Sequence, residues 1–219
     1  VDEVHAYKQN HQPDFDAFCT DNNLDHRPVI ALLAGSRKQE IKANLRLMAE
    51  IAGTWNNDYQ MVVAAAPGID DEFYRECLGD NPATLLRGQT YRILQHSLAA
   101  LVTSGTATLE TALFRVPQIV CYNMKAGRLA NLGKKLLLKV PYISLVNLIA
   151  SREVVPELVA ADMNPTNLQG YMISILPGGS ARQRQLRDYE EVAQKLGEPG
   201  APAKTARLMT EYLRNRQQH

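Results

Sequence analysis

Apolar and polar residues alternate along most of the chain in blocks of two kinds. Short, nearly continuous apolar runs predict buried strands at residues 29–33, 60–65, 84–86, 99–103 and 118–121. Between them, apolar residues recur at helical spacing and predict helices at residues 39–52, 70–78, 91–96 and 106–114. Strands that alternate with helices in this way favour a parallel, doubly wound α/β sheet with right-handed crossovers.

The pattern is weaker on either side of this alternating region. Residues 1–27 are polar with scattered apolar positions, and Pro13, Asp14 and Asp16 predict the start of one short helix. After residue 122 the pattern predicts a basic helix at 126–139, an irregular stretch to residue 156, and helices at 165–176, 181–196 and 203–216. We therefore expect a connecting segment over 1–27, one main domain over 28–200 and a last helix within 201–219.

Composition narrows the class of protein. The chain has 219 residues with 24 basic and 23 acidic side chains, so its charge does not point to a nucleic acid partner. The three cysteines, Cys19, Cys77 and Cys121, are far apart in the sequence, which is typical of reduced thiols in a cytosolic protein. We expect neither a signal peptide nor a membrane-spanning segment, because no apolar run is long enough.

One strand-to-helix junction carries the strongest chemical signal. The apolar run 98–102 opens through Ser104, Gly105 and Thr106 into a helical pattern that also contains Ala107, Thr108 and Glu110. Unpaired N–H groups at a helix start, with the positive end of the helix dipole, suit a phosphate. Glu110, one turn further on, suits the hydroxyls of a sugar. The alternative is an ordinary capped junction, but a capping box would place the Glu three residues after a Ser or Thr, and Ala107 stands there.

A second junction of the same kind follows the first predicted strand. Gly35, Ser36 and Arg37 lie between the strand at 29–33 and the helix at 39–52. Arg37 brings a permanently charged donor fork to a helix start, an arrangement suited to a diphosphate, although a solvated Arg in an ordinary turn is the alternative. In an open parallel sheet, ligands bind beyond the carboxyl ends of the strands where strand order reverses. We expect both junctions at that crevice.

Several common motifs are absent from the sequence. It contains no G-x-G-x-x-G after a strand, no Walker A sequence, no H-E-x-x-H and no C-x-x-C pair, which argues against dinucleotide, P-loop and zinc sites. Asp14 and Asp16 form a D-x-D pattern, but they fall in a predicted first helical turn, where acidic residues are favoured by the helix dipole. The residues therefore predict no metal and no cofactor.

The basic helix at 126–139 has two interpretations. Its leucines share one face, and its Lys and Arg residues share another. Such a helix suits an anionic membrane surface or an anionic substrate, but a surface helix with its leucines toward the core explains it as well.

Four segments together resemble the lipid-A-disaccharide synthases, a family of bacterial glycosyltransferases. They are Ala-Gly-Ser-Arg-x-x-Glu-Ile at 34–41, Ser-Gly-Thr-Ala-Thr-Leu-Glu at 104–110, Ser-Leu-x-Asn-Leu at 144–148 and Glu-Val-Val-Pro-Glu-Leu at 153–158. Their order and spacing match over residues 28–158. The family usually has Pro at the positions of Ala34 and Val146, which suggests more mobile loops here.

The resemblance implies a fold and a reaction. These enzymes have the GT-B arrangement, in which two Rossmann-like domains face a cleft, and this chain is similar to the C-terminal, donor-binding half. The implied reaction moves 2,3-diacylglucosamine from UDP to 2,3-diacylglucosamine 1-phosphate with inversion, at the cytoplasmic side of the inner membrane. The acceptor-binding half is absent from this chain, and so is the general base expected in it. The last helix, at 203–216, would then lack its usual partner and is a candidate for self-association.

The resemblance also implies roles for particular residues. The segments 35–37 and 104–108 would hold the diphosphate, with Arg37 stabilising the leaving UDP, and Glu110 would bind the ribose hydroxyls. Asn147 would contact the phosphates or the donor sugar. Glu40, Glu153 and Glu157 match the family pattern as further site residues without a defined role. Two alternatives stay open: another GT-B enzyme, such as a UDP-N-acetylglucosamine epimerase or a cell-wall glycosyltransferase, and a nucleotide-binding domain that functions alone.

Overall fold

The computed structural model describes residues 2–103, 105–123, 142–197 and 200. Within them, six strands form one parallel sheet: β1 Val29–Leu33, β2 Gln60–Ala65, β3 Thr84–Arg87, β4 Ser97–Thr103, β5 Gln118–Tyr122 and β6 Glu157–Val159. The strand order is β3-β2-β1-β4-β5-β6. The chain builds outward from β1 to β3 and then returns to the other side of β1, so the order reverses between β1 and β4.

Nine α-helices of the described residues surround this sheet. They are α1 Asp2–Asn10, α2 Phe15–Asp21, α3 Lys38–Ala52, α4 Asp71–Leu78, α5 Thr90–Gln95, α6 Thr106–Leu113, α7 Leu145–Ala150, α8 Pro165–Ile175 and α9 Arg182–Leu196. Short 3-10 turns follow α3 and β6, at Gly53–Trp55 and Ala160–Asp162.

The two faces of the sheet are covered by different helices. In β1, Ile30 and Leu32 belong to the core shared with α3, α4 and α8, whereas Val29, Ala31 and Leu33 belong to the opposite core. That second core includes α1, α2 and α5, and α6, α7 and α9 extend the same layer over β5. Because every residue of β1 is buried on one face or the other, the strand is a continuous apolar run.

The predicted doubly wound parallel sheet is confirmed, and so are the five predicted strands to within two residues at either end. The helix start at Asp14 is confirmed as well, because a carboxylate oxygen of Asp14 accepts the N–H of Ala17 at 2.9 Å and caps α2. The helices predicted at 126–139 and 203–216 lie outside the described residues.

Three elements were missed in the sequence. The segment 1–27 contains two helices instead of one, and its buried residues Val4 and Phe18 pack into the core beside α5. The stretch predicted as irregular contains α7, and β6 forms beyond it. Each of these elements is short or polar, so its hydrophobic period is too weak to identify it.

Candidate functional site

The two junctions singled out in the sequence leave the sheet side by side. Leu33 of β1 pairs with Val102 of β4, so the segments that follow these two strands begin at the same level on adjacent strands. This is also the place where the strand order reverses. The structure therefore brings Gly35–Arg37 and the start of α6 to one crevice at the carboxyl edge of the sheet.

The loop after β1 is shaped around Glu40. The backbone N–H of Ser36 donates to Oε2 of Glu40 at 3.1 Å, and Arg37 donates from Nη1 to Oε1 at 2.9 Å. Gly35 has φ +109, and a Cβ added there would lie 2.7 Å from Glu40. A glycine is thus needed both for the backbone conformation and for the close approach of Glu40. Glu40, whose role the sequence left undefined, is a residue that holds the loop.

The guanidinium of this loop remains accessible to solvent, and its carboxylate partner is largely covered. The side chain of Arg37 is 80% exposed, whereas that of Glu40 is 24% exposed. Tyr122, at the end of β5, lies close enough to feel both charges. Its pKa is raised overall, because burial and Glu40 raise it more than Arg37 lowers it. The next residue, Asn123, donates its N–H to the side chain of Asn44 in α3 at 2.8 Å. The end of β5 is therefore fixed to the helix that carries the loop.

The start of α6 offers a second set of donors. Gly105 has φ +138 and precedes the helix, and both it and Thr106 are exposed. A Cβ at Gly105 would meet nothing within 4 Å, so open space lies beside the backbone. The first N–H groups of a helix lack partners within it, and those at Thr106 and Ala107 have none among the described residues, so they suit an anion. Ser104 lies outside the described residues.

The side chain of Thr108 has a structural role at the start of α6, and its predicted contact with the diphosphate stays a prediction. Its side chain is fully buried, and its hydroxyl donates to the carbonyl of Gly105 at 2.9 Å. The hydroxyl thus closes the first turn of α6. The hydroxyl of Thr103, at the end of β4, is also buried and has no hydrogen-bond partner among the described residues.

Glu110 lies one turn into α6 and is half-buried. Its Oε1 accepts a hydrogen bond from the hydroxyl of Tyr91, in α5, at 3.2 Å. A carboxylate held at one oxygen retains free lone pairs for the hydroxyls of a sugar.

A cavity of about 760 Å³ lies between α5 and the turn that joins α1 to α2. Tyr91 and Arg92 line it from α5, and His11 and Asp14 line it from the turn. Neither glycine junction lines this cavity. Tyr91 therefore connects two regions, since it lines the cavity and also contacts Glu110.

Comparison with known families identifies the chain's relatives. The family model described as lipid-A-disaccharide synthetase matches residues 5–211. The chain belongs to this family. The match spans nearly all of the chain, including both junctions, so the alternatives of an epimerase or a cell-wall glycosyltransferase family are set aside.

Individual relatives of this family agree. The lipid-A-disaccharide synthase of Anaeromyxobacter dehalogenans is 35% identical over 194 residues, which are 86% of this chain and 50% of that protein. The synthase of Solibacter usitatus is 32% identical over 196 residues, 88% of this chain and 51% of that protein. The chain therefore spans about half the length of the curated relatives it matches.

Solved structures support the fold. A putative UDP-N-acetylglucosamine 2-epimerase from Listeria monocytogenes aligns with a TM-score of 0.53 at 15% identity, covering 84% of this chain and 46% of that protein. At this identity the likeness concerns the Rossmann-like fold alone.

The family segment at 144–148 proves to be a closed structural cluster. Asn147 is fully buried, and its amide nitrogen donates to the carbonyl of Val155 and to Oε1 of Glu157, both at 2.8 Å. Its side-chain oxygen accepts the N–H groups of Val154 at 2.7 Å and Val155 at 3.0 Å. With these bonds made, every hydrogen-bonding group of the Asn147 side chain is used within the chain, and its contact with phosphate or sugar stays a prediction.

Glu157 completes this cluster. Its carboxylate accepts the N–H groups of Ile143 and Ser144 at 2.9 Å each and the Ser144 hydroxyl at 2.7 Å. The hydroxyl of Ser144 in turn accepts the N–H of Asn147 and caps α7. Ser144, Asn147 and Glu157 therefore fix the start of α7 to β6, and we call them the α7 cluster.

Glu153 is not brought to the crevice. It is exposed and precedes β6, at the amino end of that strand, whereas both junctions follow the carboxyl ends of theirs. There it lines a separate cavity of about 400 Å³ with residues of α8 and α9, among them Asn167 and Arg184.

Two features are absent from the described part of the chain. There, no three His, Cys, Asp or Glu side chains are grouped so that they could hold a metal ion. Nor does any helix in these ranges have the length and apolar character needed to cross a membrane. The expectation of a metal-free, cofactor-free site stays a prediction.

One residue of the site gave no functional signal in the sequence. Tyr91 lies 19 positions from Glu110 and reads only as an apolar position of a short helix. The role of Glu40 was more accessible, since a Glu at the third position of a helix often bonds back to the N–H groups before it.

Proposed function

We propose that this chain is the UDP-sugar-binding half of a lipid-A-disaccharide synthase, the C-terminal half of a GT-B enzyme. One observation carries the proposal: two junctions with exposed donors meet where the strand order reverses, and a carboxylate suited to a ribose lies one turn away. Neutral or cationic ligands gain little from such a crevice, whereas a nucleoside diphosphate uses every part of it.

In the proposed complex the diphosphate lies between Gly35–Arg37 and the first turn of α6. Ser36, Gly105 and Thr106 border it, and the backbone of Ala107 adds a donor. Glu110 binds the ribose hydroxyls. Since Tyr91 connects Glu110 to the cavity beside α5, the nucleoside end lies toward that side.

Arg37 has the chemical role in this half. As the glycosidic bond to phosphate breaks, negative charge grows on the departing UDP. A guanidinium and two helix N-termini aimed at the diphosphate stabilise that charge more than they stabilise the bound donor, which lowers the barrier. This arrangement supplies the positive charge that a metal ion provides in other transferases, so the proposal includes neither a metal nor a cofactor.

The whole protein would transfer 2,3-diacylglucosamine from UDP to 2,3-diacylglucosamine 1-phosphate, giving the lipid A disaccharide phosphate and UDP. The acceptor lipid and the general base belong to the other half. We place the protein in the cytoplasm, at the surface of the inner membrane. Membrane contact through 126–139 and self-association through 201–219 are further parts of this proposal, and both segments lie outside the described residues.

Calorimetric titration with UDP, UMP and ADP tests the proposal. We expect UDP to bind, UMP to bind at least about tenfold more weakly because it lacks one phosphate, and ADP to bind more weakly than UDP. A folded chain that binds no UDP would contradict the proposal, and so would one that binds UMP as well as UDP.

A further inference from the structure

The hydroxyl of Tyr91 lies between two carboxylates. It is 3.2 Å from Oε1 of Glu110 in α6 and 3.4 Å from Oε2 of Glu3 in α1. A phenol has one proton, so it donates to one carboxylate at a time. Glu110 is the closer of the two and is half-buried, whereas Glu3 is exposed to water that can replace the bond.

The ring of Tyr91 is held in place by its neighbours. Tyr7, in α1, packs edge-on against it with ring centroids 5.4 Å apart. The ring of Phe114 packs against it as well, again with centroids 5.4 Å apart. Phe114 directly follows α6, the helix that carries Glu110. The ring and the carboxylate are thus fixed relative to each other by packing as well as by the hydrogen bond.

Burial raises the pKa of Tyr91 well above its ordinary value, and the nearby Glu110 raises it further. The hydroxyl is therefore protonated at neutral pH, where it can donate to Glu110. Among the described residues, Oε2 of Glu110 has no hydrogen-bond partner.

We propose that Tyr91 is a positioning residue that fixes the carboxylate of Glu110 for the hydroxyls of the nucleotide ribose. One oxygen is anchored by the phenol, and the other is left for the ligand. An anchored carboxylate loses less side-chain freedom when the ribose arrives, so part of the cost of binding is removed beforehand. This inference rests on the proposed function and adds a residue to its site.

The test compares Tyr91→Phe with Tyr7→Phe in the full chain, using UDP and 2′,3′-dideoxy-UDP as ligands. Phenylalanine keeps the ring packing and removes only the hydroxyl. Tyr7 is the matched control, because its ring lies in the same cluster and its hydroxyl has no hydrogen bond among the described residues. Thermal unfolding confirms that both variants are folded.

We expect Tyr91→Phe to weaken UDP about fivefold and to change the dideoxy analogue less than about twofold, so that the preference for ribose hydroxyls falls. Tyr7→Phe should leave that preference unchanged. Equal weakening of both ligands would show a general structural role and overturn the inference, and so would an unchanged preference.

The proposed function has a separate outcome in the same experiment. If the unsubstituted chain fails to bind UDP, or binds the dideoxy analogue equally well, the proposed site itself is wrong. A different pattern isolates Tyr91. If the unsubstituted chain prefers UDP over the dideoxy analogue, and if Glu110→Gln removes this preference whereas Tyr91→Phe does not, then only the role of Tyr91 is wrong.

Discussion

The β1–β4 crevice and the α7 cluster contain the same kinds of residues, used in different ways. Both place small polar side chains and a Glu at the start of a helix, and both lie in family segments. In the crevice, Arg37 and Thr106 are exposed, and the first N–H groups of α6 are unpaired within the helix. In the α7 cluster, Asn147 is buried and every hydrogen-bonding group of its side chain is used.

We propose that this difference separates a ligand-binding loop from a structural one. The residue types alone do not, since a helix start needs caps whether or not it holds a ligand. What separates them is the hydrogen-bonding capacity left over after folding. In the crevice, the first N–H groups of α6 have no partner within the helix, whereas the side chains of the α7 cluster use their hydrogen bonds to hold β6.

The largest effect is expected from Asn147→Ala. The substitution removes the side-chain partner of the N–H groups of Val154 and Val155 and of the carbonyl of Val155, which should cost about 3 kcal/mol of unfolding free energy. Denaturant unfolding measures this loss. UDP affinity, measured well below the transition, should stay the same.

An exposed asparagine provides the control for this variant. Asn10 ends α1, and its side chain bonds, among the described residues, only to the carbonyl of Ala6, so Asn10→Ala should change stability by less than about 0.5 kcal/mol. If Asn147→Ala were stable but no longer bound UDP, Asn147 would be a ligand contact and the comparison would fail.

Arg37→Ala should show the reverse pattern. Loss of a charge-assisted contact with the diphosphate is expected to weaken UDP about thirtyfold, while unfolding free energy changes by less than about 0.5 kcal/mol because the side chain is exposed. Titration calorimetry and denaturant unfolding measure the two quantities. Arg46→Ala is the matched control, since Arg46 lies in α3, the helix that follows Arg37, and pairs with Glu50. If the two variants bound UDP with equal affinity, Arg37 would not be a residue of the binding site.

Gly35→Ala tests the shape of the loop. The backbone at φ +109 disfavours an L side chain, and the added Cβ would press on Glu40. We expect a loss of about 2 kcal/mol in stability together with weaker UDP binding, both seen in thermal unfolding with and without UDP. Gly170→Ala in α8 should instead stabilise by up to about 1 kcal/mol, because its Cβ meets nothing within 4 Å. If both substitutions stabilised the chain, or both destabilised it, the assigned role of Gly35 in the loop would be contradicted.

The smallest effect concerns ion pairs beside the α7 cluster. Hydrogen bonds from Arg152 and Lys195 hold the pKa of Glu191 down to about 2. A depressed folded pKa gives stability that is present above the unfolded pKa, near 4.5, and is lost as pH falls toward 2. Glu191→Gln should therefore destabilise slightly at neutral pH and converge with the parent chain as pH falls through this window. Unfolding curves of both chains at several pH values measure this change in stability. A stability difference that stays constant with pH would contradict the assigned ion pairs of Glu191.

The sequence predicted the central sheet well and its margins poorly. The strand at 29–33 is recognisable because all five residues are buried on one face or the other. By contrast, β6 has three residues and α7 has six, too few to display a period. The first helix has one buried residue, Val4, so its pattern was polar.

The candidate site divides in a similar way. The junctions at Gly35 and Gly105 were predictable because a strand, a glycine and a helix follow each other directly. The burial of Asn147 and its hydrogen bonds were not predictable, because its partners lie seven to ten positions away in the sequence and are brought together only by folding. Tyr91 meets Glu110 through packing between two helices, which no local pattern encodes.

Backbone amide chemical shifts during titration with UDP test the central claim most directly, because they report on both regions in one experiment. We predict the largest changes at Ser36, Arg37, Gly105 and Thr106, with the amides of Val154 and Val155 unmoved. Changes concentrated at Ser144 and Val154–Val155, with the two glycine junctions silent, would show that the ligand binds at the α7 cluster and would contradict the account.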